Sequence, residues 1–315
     1  MKPILSLRGQ TEIPKMIQLG NRALKAGYWG VSFAEELENC NTDVFLAIGA
    51  MSQKCDGLGF MTNVVNQFSR HPVALAVAAL ASCEAASGRF ILGVGSGSPS
   101  TLSALEISDK MGLARLAEVV HIVRLLSDQD ESNYSGKFFK LNKVHSLRAG
   151  KYHFPIFIPA IRDRAIEFAA RHGDGIALSN FSSVEYLKHA RSVIRSVSNR
   201  EDFQMACSIT YIPTTDVKEG LKVATPFAQR YLSFPIIGET LLEKSGLDPQ
   251  IASEIRKGRL ERVTSDIVEA MVVVGKPDKL FERIHAFEKL GVSVPIIGTD
   301  PSYLDQLLSV KLDLS

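Results

Sequence analysis

Strand-like apolar runs alternate with longer helical patterns along most of the 315-residue chain. The runs read PILSLRG, GVSFAEE, DGLGFMTNVV, RFILGVGSG, FPIFIPA, DGIALSN, FQMACSITYIP and GVSVPIIGTD. Between them, stretches such as 110–128 repeat apolar residues every three or four positions, as an amphipathic helix does. This alternation is typical of a parallel sheet with helical crossovers, and eight strands predict a closed (β/α)8 TIM barrel. A doubly wound open sheet is the alternative, because alternation alone does not show closure.

Two segments interrupt the repeat. Residues 127–153 are polar and rich in turn formers, and residues 233–268 read as short helices before the last strand–helix portion. Long segments of this kind are often lids or binding loops. No linker composition separates them from the rest. The sequence therefore predicts one domain over 1–315, a TIM barrel with inserted loops and short helices at about 127–153 and 233–268.

Composition and charge argue against several classes of partner. The formal net charge is +2 and the basic residues are dispersed, which disfavours nucleic acid. No apolar run approaches the roughly 18 residues of a membrane span, and the N-terminus lacks the apolar core of a signal peptide. The four cysteines form no CxxC pair, which disfavours a metal site or a disulfide framework. We therefore expect a cytoplasmic protein that acts on a small-molecule substrate, with no metal, membrane or nucleic-acid partner.

Three glycines lie two residues apart at the end of the predicted fourth strand: Gly93, Gly95 and Gly97. A dinucleotide fingerprint would need G-x-G-x-x-G after the first strand, so both the spacing and the position exclude it. Glycine at alternate strand positions removes side chains from one face, so that another backbone or a flat ligand can lie there. A bulge or a tight barrel corner is an equal alternative.

Polar residues follow three other predicted strands, where barrel enzymes carry their sites. Glu35 is a candidate acid or base, or else a solvated carboxylate at a helix start. In the segment 63–71, a helix-capping role is favoured over a catalytic role for His71. Arg162 and Arg164 begin a helix where backbone N–H groups bind anions well, although a solvated basic face is the commoner role.

The segment NQFSRHPVALAVAALASCEAASGRFILGVGSG resembles the luciferase-like superfamily of flavin- and deazaflavin-dependent oxidoreductases. Within that superfamily, the chain is most similar to methylenetetrahydromethanopterin reductase. That similarity runs over nearly the whole chain, through GVGSGSPSTLSALEI, DGIALSN, LLEKSGLDPQIASEIRKG and VGKPDKLFERIHAFEKLGV.

The resemblance implies a barrel that uses coenzyme F-420, with FMN as the alternative, to move hydride to or from a small organic substrate. It implies a cis peptide bond at Asn63–Val64, with the cofactor ring at the C-terminal mouth of the barrel. The implied ring and ribityl contacts are Asn63, Val64, Gly95, Ser96, Gly97 and Ser98, and the implied phosphate contacts are Ala160, Ile161 and Arg162. Glu35 is then the predicted proton donor or base.

The same resemblance implies a homo-oligomer, either a dimer or a tetramer. Two alternatives to the reductase remain: an FMN-dependent monooxygenase and a non-catalytic flavin-binding relative. The chain also departs from the reductase pattern, since its first strand has no acid, Ser98 replaces an aspartate and Arg162 replaces a glycine. These departures concern the substrate more than the fold or the class of cofactor.

Overall fold

The computed structural model describes residues 1–108 and 110–313. Within them the strands are β1 (Ile4–Ser6), β2 (Gly30–Phe33), β3 (Gly59–Thr62), β4 (Val65–Asn66), β5 (Phe90–Gly95), β6 (Glu131–Ser135), β7 (Lys140–His145), β8 (Ile156–Ala160), β9 (Gly175–Leu178), β10 (Gln204–Pro213), β11 (Val272–Gly275) and β12 (Val292–Gly298). The helices are α1 (Ile13–Lys25), α2 (Val44–Ser52), α3 (Pro72–Ala85), α4 (Pro99–Ala104), α5 (Gly112–Asp128), α6 (Asp163–His172), α7 (Val184–Val197), α8 (Val217–Leu232), α9 (Ile237–Lys244), α10 (Gln250–Arg256), α11 (Ser265–Met271), α12 (Pro277–Lys289) and α13 (Leu304–Ser309). Single 3₁₀ turns lie at Leu37–Asn39, Leu260–Arg262 and Pro301–Tyr303.

Eight parallel strands close into a barrel in the order β12, β1, β2, β3, β5, β8, β9 and β10. Closure comes from β10, which pairs with β9 on one side and with β12 on the other. The predicted (β/α)8 barrel is therefore confirmed, and the doubly wound open sheet is excluded. Because all eight strands run parallel, their C-terminal ends meet at one mouth.

The helix limits follow from local signals that the sequence displays. The helix predicted from Pro72 begins there, with the His71 ring accepting a hydrogen bond from the backbone N–H of Val73 at 3.3 Å. The helix predicted from Pro277 to about residue 290 ends at Lys289. Gly88, three residues beyond the last residue of α3, has a φ of +81°, a conformation that residues with a side chain rarely adopt. Proline at a helix start and glycine after its end thus fix these boundaries.

The first insertion folds as an antiparallel hairpin of β6 and β7 that docks on α5. The Glu118 carboxylate accepts backbone hydrogen bonds from Lys137 at 2.8 Å, Phe138 at 3.1 Å and Phe139 at 3.1 Å. The Phe139 ring then contacts the His71 ring edge-on, with centroids 5.4 Å apart. The hairpin therefore buttresses the segment that leads from β3 into α3.

The second insertion contains α9, α10 and α11, as its pattern of short helices predicts. It also leads into β11, which the sequence reading missed and which pairs in parallel with Thr210–Pro213 of β10. None of the described helices combines the length and apolarity that crossing a bilayer requires.

The barrel interior has an apolar lower layer and a small-residue upper layer. The lower layer is a separate buried cluster of Ile4, Met61, Ile91, Phe157, Ala177, Ala206, Val294 and Ile296, against which Trp29 packs. Side chains alternate along a strand, so the next inward positions towards the mouth lie two residues further along each strand. Within the strands these positions are Ser6, Gly93, Pro159, Ser208 and Gly298, and Asn63 and Ser179 directly follow β3 and β9. The mouth therefore has a floor of small, uncharged residues.

Candidate functional site

The loop that leaves β3 carries the cis peptide bond Asn63–Val64, at the position that the resemblance implied. The Asn63 N–H donates to the carbonyl of Phe33 at 2.6 Å. Two residues further on, β4 pairs with the end of β5 through Val65–Val94 and Asn66–Gly95. The loop is thus bound between the ends of β2 and β5, at the barrel mouth.

The glycine repeat makes room for the protein's own chain. A Cβ on Gly93 would lie 2.1 Å from the carbonyl oxygen of Thr62, and a Cβ on Gly95 would lie 2.3 Å from Cγ of Pro159. Gly97 has a φ of +81°, and a Cβ there would meet the Asn66 amide at 2.5 Å. Of the interpretations that the sequence left open, close approach of another backbone is observed at Gly93, whereas side-chain atoms approach Gly95 and Gly97. The half-buried Val64 side chain covers Gly93 and Gly95, with methyls 3.1 and 3.6 Å from the two built Cβ positions.

Glu35 lies at the end of β2, as predicted, and is buried against the β3–α3 loop. Its Oε2 accepts hydrogen bonds from the Asn66 backbone N–H at 2.8 Å and from the Ser69 hydroxyl at 2.9 Å. Its Oε1 forms an ion pair with Arg70, which also pairs with Asp43. Both carboxylate oxygens are therefore engaged by the loop that they support.

Asn66 and Gln67 fasten that loop to Ser96. The Asn66 amide donates to the Ser96 carbonyl at 3.0 Å. The buried Gln67 amide donates to the Ser96 hydroxyl at 3.0 Å and to the Gly112 carbonyl at 3.2 Å. Two predicted cofactor segments, 63–64 and 95–98, are consequently held as one unit.

Glu38 joins the loop after β2 to the segment after β5. Its carboxylate accepts hydrogen bonds from the hydroxyls of Ser98 at 3.2 Å, Ser100 at 2.9 Å and Thr101. Burial alone would raise the pKa of Glu38, but the hydrogen bonds from Thr101, Ser100 and Ser98 outweigh it and lower the pKa. The sequence reading missed Glu38, because its partners lie about sixty residues away along the chain.

The predicted phosphate turn follows β8. Ala160 is buried, the Ile161 carbonyl accepts a hydrogen bond from the Tyr186 hydroxyl at 2.8 Å, and Arg162 is exposed at the start of α6. Arg162 makes no side-chain cap there, and the first N–H groups of a helix have no partner within it. Such a turn fits an anion. Asp163, the next residue, is paired with His189 at 2.7 Å.

The opposite side of the mouth carries residues that sequence reasoning missed. Ser179, just beyond β9, shares a hydrogen bond between hydroxyls with Tyr231 of α8. The Tyr231 ring lies 4.8 Å from the ring of Phe181 and 5.9 Å from that of Phe234, measured between centroids. Tyr231 belongs to no motif, and only the path of α8 brings it to the end of β9. Among the described residues, no group of three or more histidine, cysteine or acidic side chains is placed to bind a metal ion.

A closed parallel barrel with polar loops at its C-terminal mouth defines the (β/α)8-barrel class of enzymes. A family model described as luciferase-like monooxygenase matches residues 5–293, and the chain belongs to this family. It is a luciferase-like oxidoreductase, as the sequence resemblance predicted.

The relatives of the chain include reductases that use a deazaflavin. The chain is 25% identical over 293 residues to 5,10-methylenetetrahydromethanopterin reductase of Archaeoglobus fulgidus, covering 88% of this chain and 87% of that one. The solved coenzyme F-420-dependent tetrahydromethanopterin reductase of Methanopyrus kandleri superposes with a TM-score of 0.83 at 18% identity, over 99% and 98% of the two chains. A coenzyme F-420-dependent secondary alcohol dehydrogenase superposes with a TM-score of 0.77 at 16% identity, over 98% of each chain.

Proposed function

We propose that this protein transfers hydride between coenzyme F-420 and a small organic substrate, in the manner of the methylenetetrahydromethanopterin reductases. The similarity to those reductases supports the choice of cofactor. The observation that carries the proposal is the fixed loop 63–70, which presents Val64 beside a mouth floor of small, uncharged residues. A planar ring fits this surface, because the small side chains do not protrude into the mouth and the loop is already ordered.

The residues assigned to the cofactor by this proposal are those that the resemblance implies. Asn63, Val64, Gly95, Ser96, Gly97 and Ser98 would contact the ring and the ribityl chain, and Ala160, Ile161 and Arg162 would hold the phosphate. When bound, the deazaflavin supplies the hydride chemistry, while the protein positions it and excludes water. Because Val64 covers both Gly93 and Gly95, we assign the contact with the ring to Val64 rather than to a bare glycine strand.

Glu35 has two possible roles in this proposal. The sequence-based role is that of a proton donor or base. The contacts of its two oxygens with Asn66, Ser69 and Arg70 favour a positioning role, because they hold the loop that presents Val64. We assign Glu35 the positioning role.

An FMN-dependent monooxygenase is the second candidate function, favoured by the family itself, whose description is that of monooxygenases. Parallel fluorescence titrations of the purified protein with coenzyme F-420 and with FMN separate the two. We expect micromolar binding of the deazaflavin and weak binding of FMN. Preference for FMN with oxygen consumption would assign the monooxygenase activity. Binding without turnover would indicate a non-catalytic relative, and binding of neither cofactor would contradict the proposal.

We also propose that the protein acts as a homo-oligomer in the cytoplasm. The helices α2 and α3 pack side by side, and their sequences contain one charged residue, Glu84. Leu46 and Val77 on these helices are 62% and 56% exposed. An apolar helix pair with large exposed side chains is typical of an interface between subunits. The four cysteines are all free, which suits a reducing compartment.

A further inference from the structure

The side of the mouth opposite Val64 carries a pair of hydroxyl groups. Ser179 directly follows β9, so it lies at the C-terminal mouth of the barrel. The hydroxyl of Tyr231 shares a hydrogen bond with it. Each residue as a whole is only partly buried, although the Tyr231 hydroxyl itself is largely desolvated.

Aromatic side chains fix the position of Tyr231. Its ring packs on Phe181 and Phe234, and Phe181 has a φ of +61°. A bulky residue rarely adopts a left-handed backbone, and such residues persist where their surroundings impose them, often at functional sites. The packing of its ring therefore holds the Tyr231 hydroxyl in a fixed position.

The acids of the mouth are already committed to other contacts. Glu35 is bound by the β3–α3 loop, Glu38 by three hydroxyls, and Glu36 by Arg8, whose Nε lies 2.9 Å from Oε1 of Glu36. The inward positions of the mouth floor carry no charged side chain among the residues that the structure describes. Such a surface suits a neutral ligand oxygen and offers it hydroxyl donors.

We propose that the Tyr231 hydroxyl, held in place by Ser179, binds the oxygen of an uncharged carbonyl substrate and donates its proton to that oxygen. This inference rests on the proposed function and names its substrate class. The carbonyl carbon accepts the hydride supplied by the reduced deazaflavin, and the π electrons of the C=O bond pass to the oxygen. That oxygen takes the Tyr231 proton, which yields an alcohol and a phenolate. The Ser179 hydroxyl stabilises the phenolate by donating to it, and solvent water returns the proton.

The charges around Tyr231 agree with this role. Burial is the largest influence on its pKa and raises it, while the hydrogen bond with Ser179 and the positive charge of Arg8 act in the opposite direction. The hydroxyl therefore carries its proton at neutral pH, and two groups are in place to stabilise the anion once the proton has left.

The test compares the wild type with Tyr231→Phe, Ser179→Ala and the control Tyr152→Phe, whose hydroxyl bonds to Glu84 at 2.8 Å away from the mouth. Cyclohexanone and acetophenone are the probes, with reduced coenzyme F-420 under anaerobic conditions. We expect Tyr231→Phe to lower kcat about 100-fold with a small change in KM, which is the lower end of general-acid effects. We expect Ser179→Ala to lower kcat about tenfold, and Tyr152→Phe to match the wild type. The Kd for coenzyme F-420 should stay within about twofold in all four proteins.

A second readout does not depend on turnover. Isotope-edited infrared spectra of ¹³C=O cyclohexanone bound to the cofactor-free protein report the hydrogen bond to the carbonyl directly. We expect the stretching frequency to be lowered by the wild type and by Tyr152→Phe, but not by Tyr231→Phe. Equal carbonyl frequencies in the wild type and Tyr231→Phe, or an unchanged kcat, would overturn the role of Tyr231. A wild type that binds coenzyme F-420 and reduces neither ketone would overturn the substrate class alone, whereas binding of neither F-420 nor FMN would overturn the proposed function.

Discussion

Glu35 is a buried carboxylate whose position predicts catalysis but whose contacts favour a positioning role. Its position after β2 predicts a catalytic acid or base, yet its oxygens face Asn66, Ser69 and Arg70. A charged group with four per cent of its side chain exposed is stable only when it is paired and hydrogen-bonded. What the residue contributes to function is therefore the shape of the loop after β3.

Replacing Glu35 with Gln distinguishes the two roles. The amide leaves the Arg70 cation with a weaker partner, so we expect the free energy of unfolding to fall by about 1–3 kcal/mol. Because the loop carries Val64, the Kd for coenzyme F-420 should rise as well. Unfolding in urea and fluorescence titration measure the two effects. The matched control is Glu36→Gln, whose partner Arg8 is 52% exposed and whose loss should cost less than about 1 kcal/mol. Reduced turnover with an unchanged Kd would instead restore the proton-transfer role of Glu35.

Glu38 predicts a pH dependence of stability. Its pKa in the folded protein lies below its ordinary value of 4.5, because hydrogen bonds from three hydroxyls outweigh the effect of burial. The unfolded chain therefore binds the proton more tightly than the folded one. The stabilisation is present above about pH 4.5 and is lost as the pH falls through the folded-state pKa.

Thermal unfolding of the wild type and Glu38→Gln between pH 7 and pH 3.5 tests this. We expect the difference in Tm between the two proteins to narrow as the pH falls, since protonated Glu38 resembles glutamine. A difference that stays constant over this range would contradict the assignment.

The sequence predicted the helices and strands whose signals are local. Proline and glycine set the ends of α3 and α12, and periodicity identified the eight barrel strands. A short strand that depends on a partner distant in the sequence was not predicted. β11 is four residues long and depends on Thr210–Pro213 for its hydrogen bonds. The hairpin of β6 and β7 is polar, so its strands carry no apolar alternation to recognise.

The same limit applies to the site. Gly93, Gly95 and Gly97 announced a close approach, but the sequence does not say whether a ligand or the chain itself approaches. Tyr231 gave no signal, because its partner Ser179 lies 52 residues earlier and is brought near only by the path of α8. The family motifs were enough to predict the loop after β3. Residues that belong to no motif, such as Tyr231, are found only from the three-dimensional contacts.

The glycine contacts predict unequal costs for alanine at two strand positions. Gly95→Ala places a methyl 2.3 Å from Cγ of Pro159 in the neighbouring strand β8. Overpacking of this kind costs about 1–3 kcal/mol of stability. Gly298→Ala places a methyl 3.3 Å from Cβ of Ser6, a contact that a small shift relieves. Denaturant unfolding should therefore show a much larger loss for Gly95→Ala. Equal stabilities of the two variants would contradict the packing argument.

For the whole molecule, the exposed faces of α2 and α3 are the feature that a single chain leaves unexplained. Both helices are apolar around most of their circumference, which is the pattern of a helix buried on all sides. Their inner faces pack on the barrel, and in the proposed oligomer a second subunit buries the outer faces. Removing Leu46 and Val77 from water supplies hydrophobic free energy of about 1.5–3 kcal/mol for each side chain.

A carboxylate at either position should dissociate the proposed oligomer, because it would be desolvated without a partner. We expect Leu46→Glu and Val77→Glu to shift the mass measured by light scattering from that of a dimer or tetramer to 34.5 kDa, the mass of one chain. The control is Leu260→Glu, which changes a leucine that is 46% exposed in the second insertion and should leave the mass unchanged. Because both residues already face solvent in the single chain, the variants should still fold and bind coenzyme F-420. A wild type that elutes at 34.5 kDa, or variants that keep the wild-type mass, would place the subunit contact elsewhere or remove it.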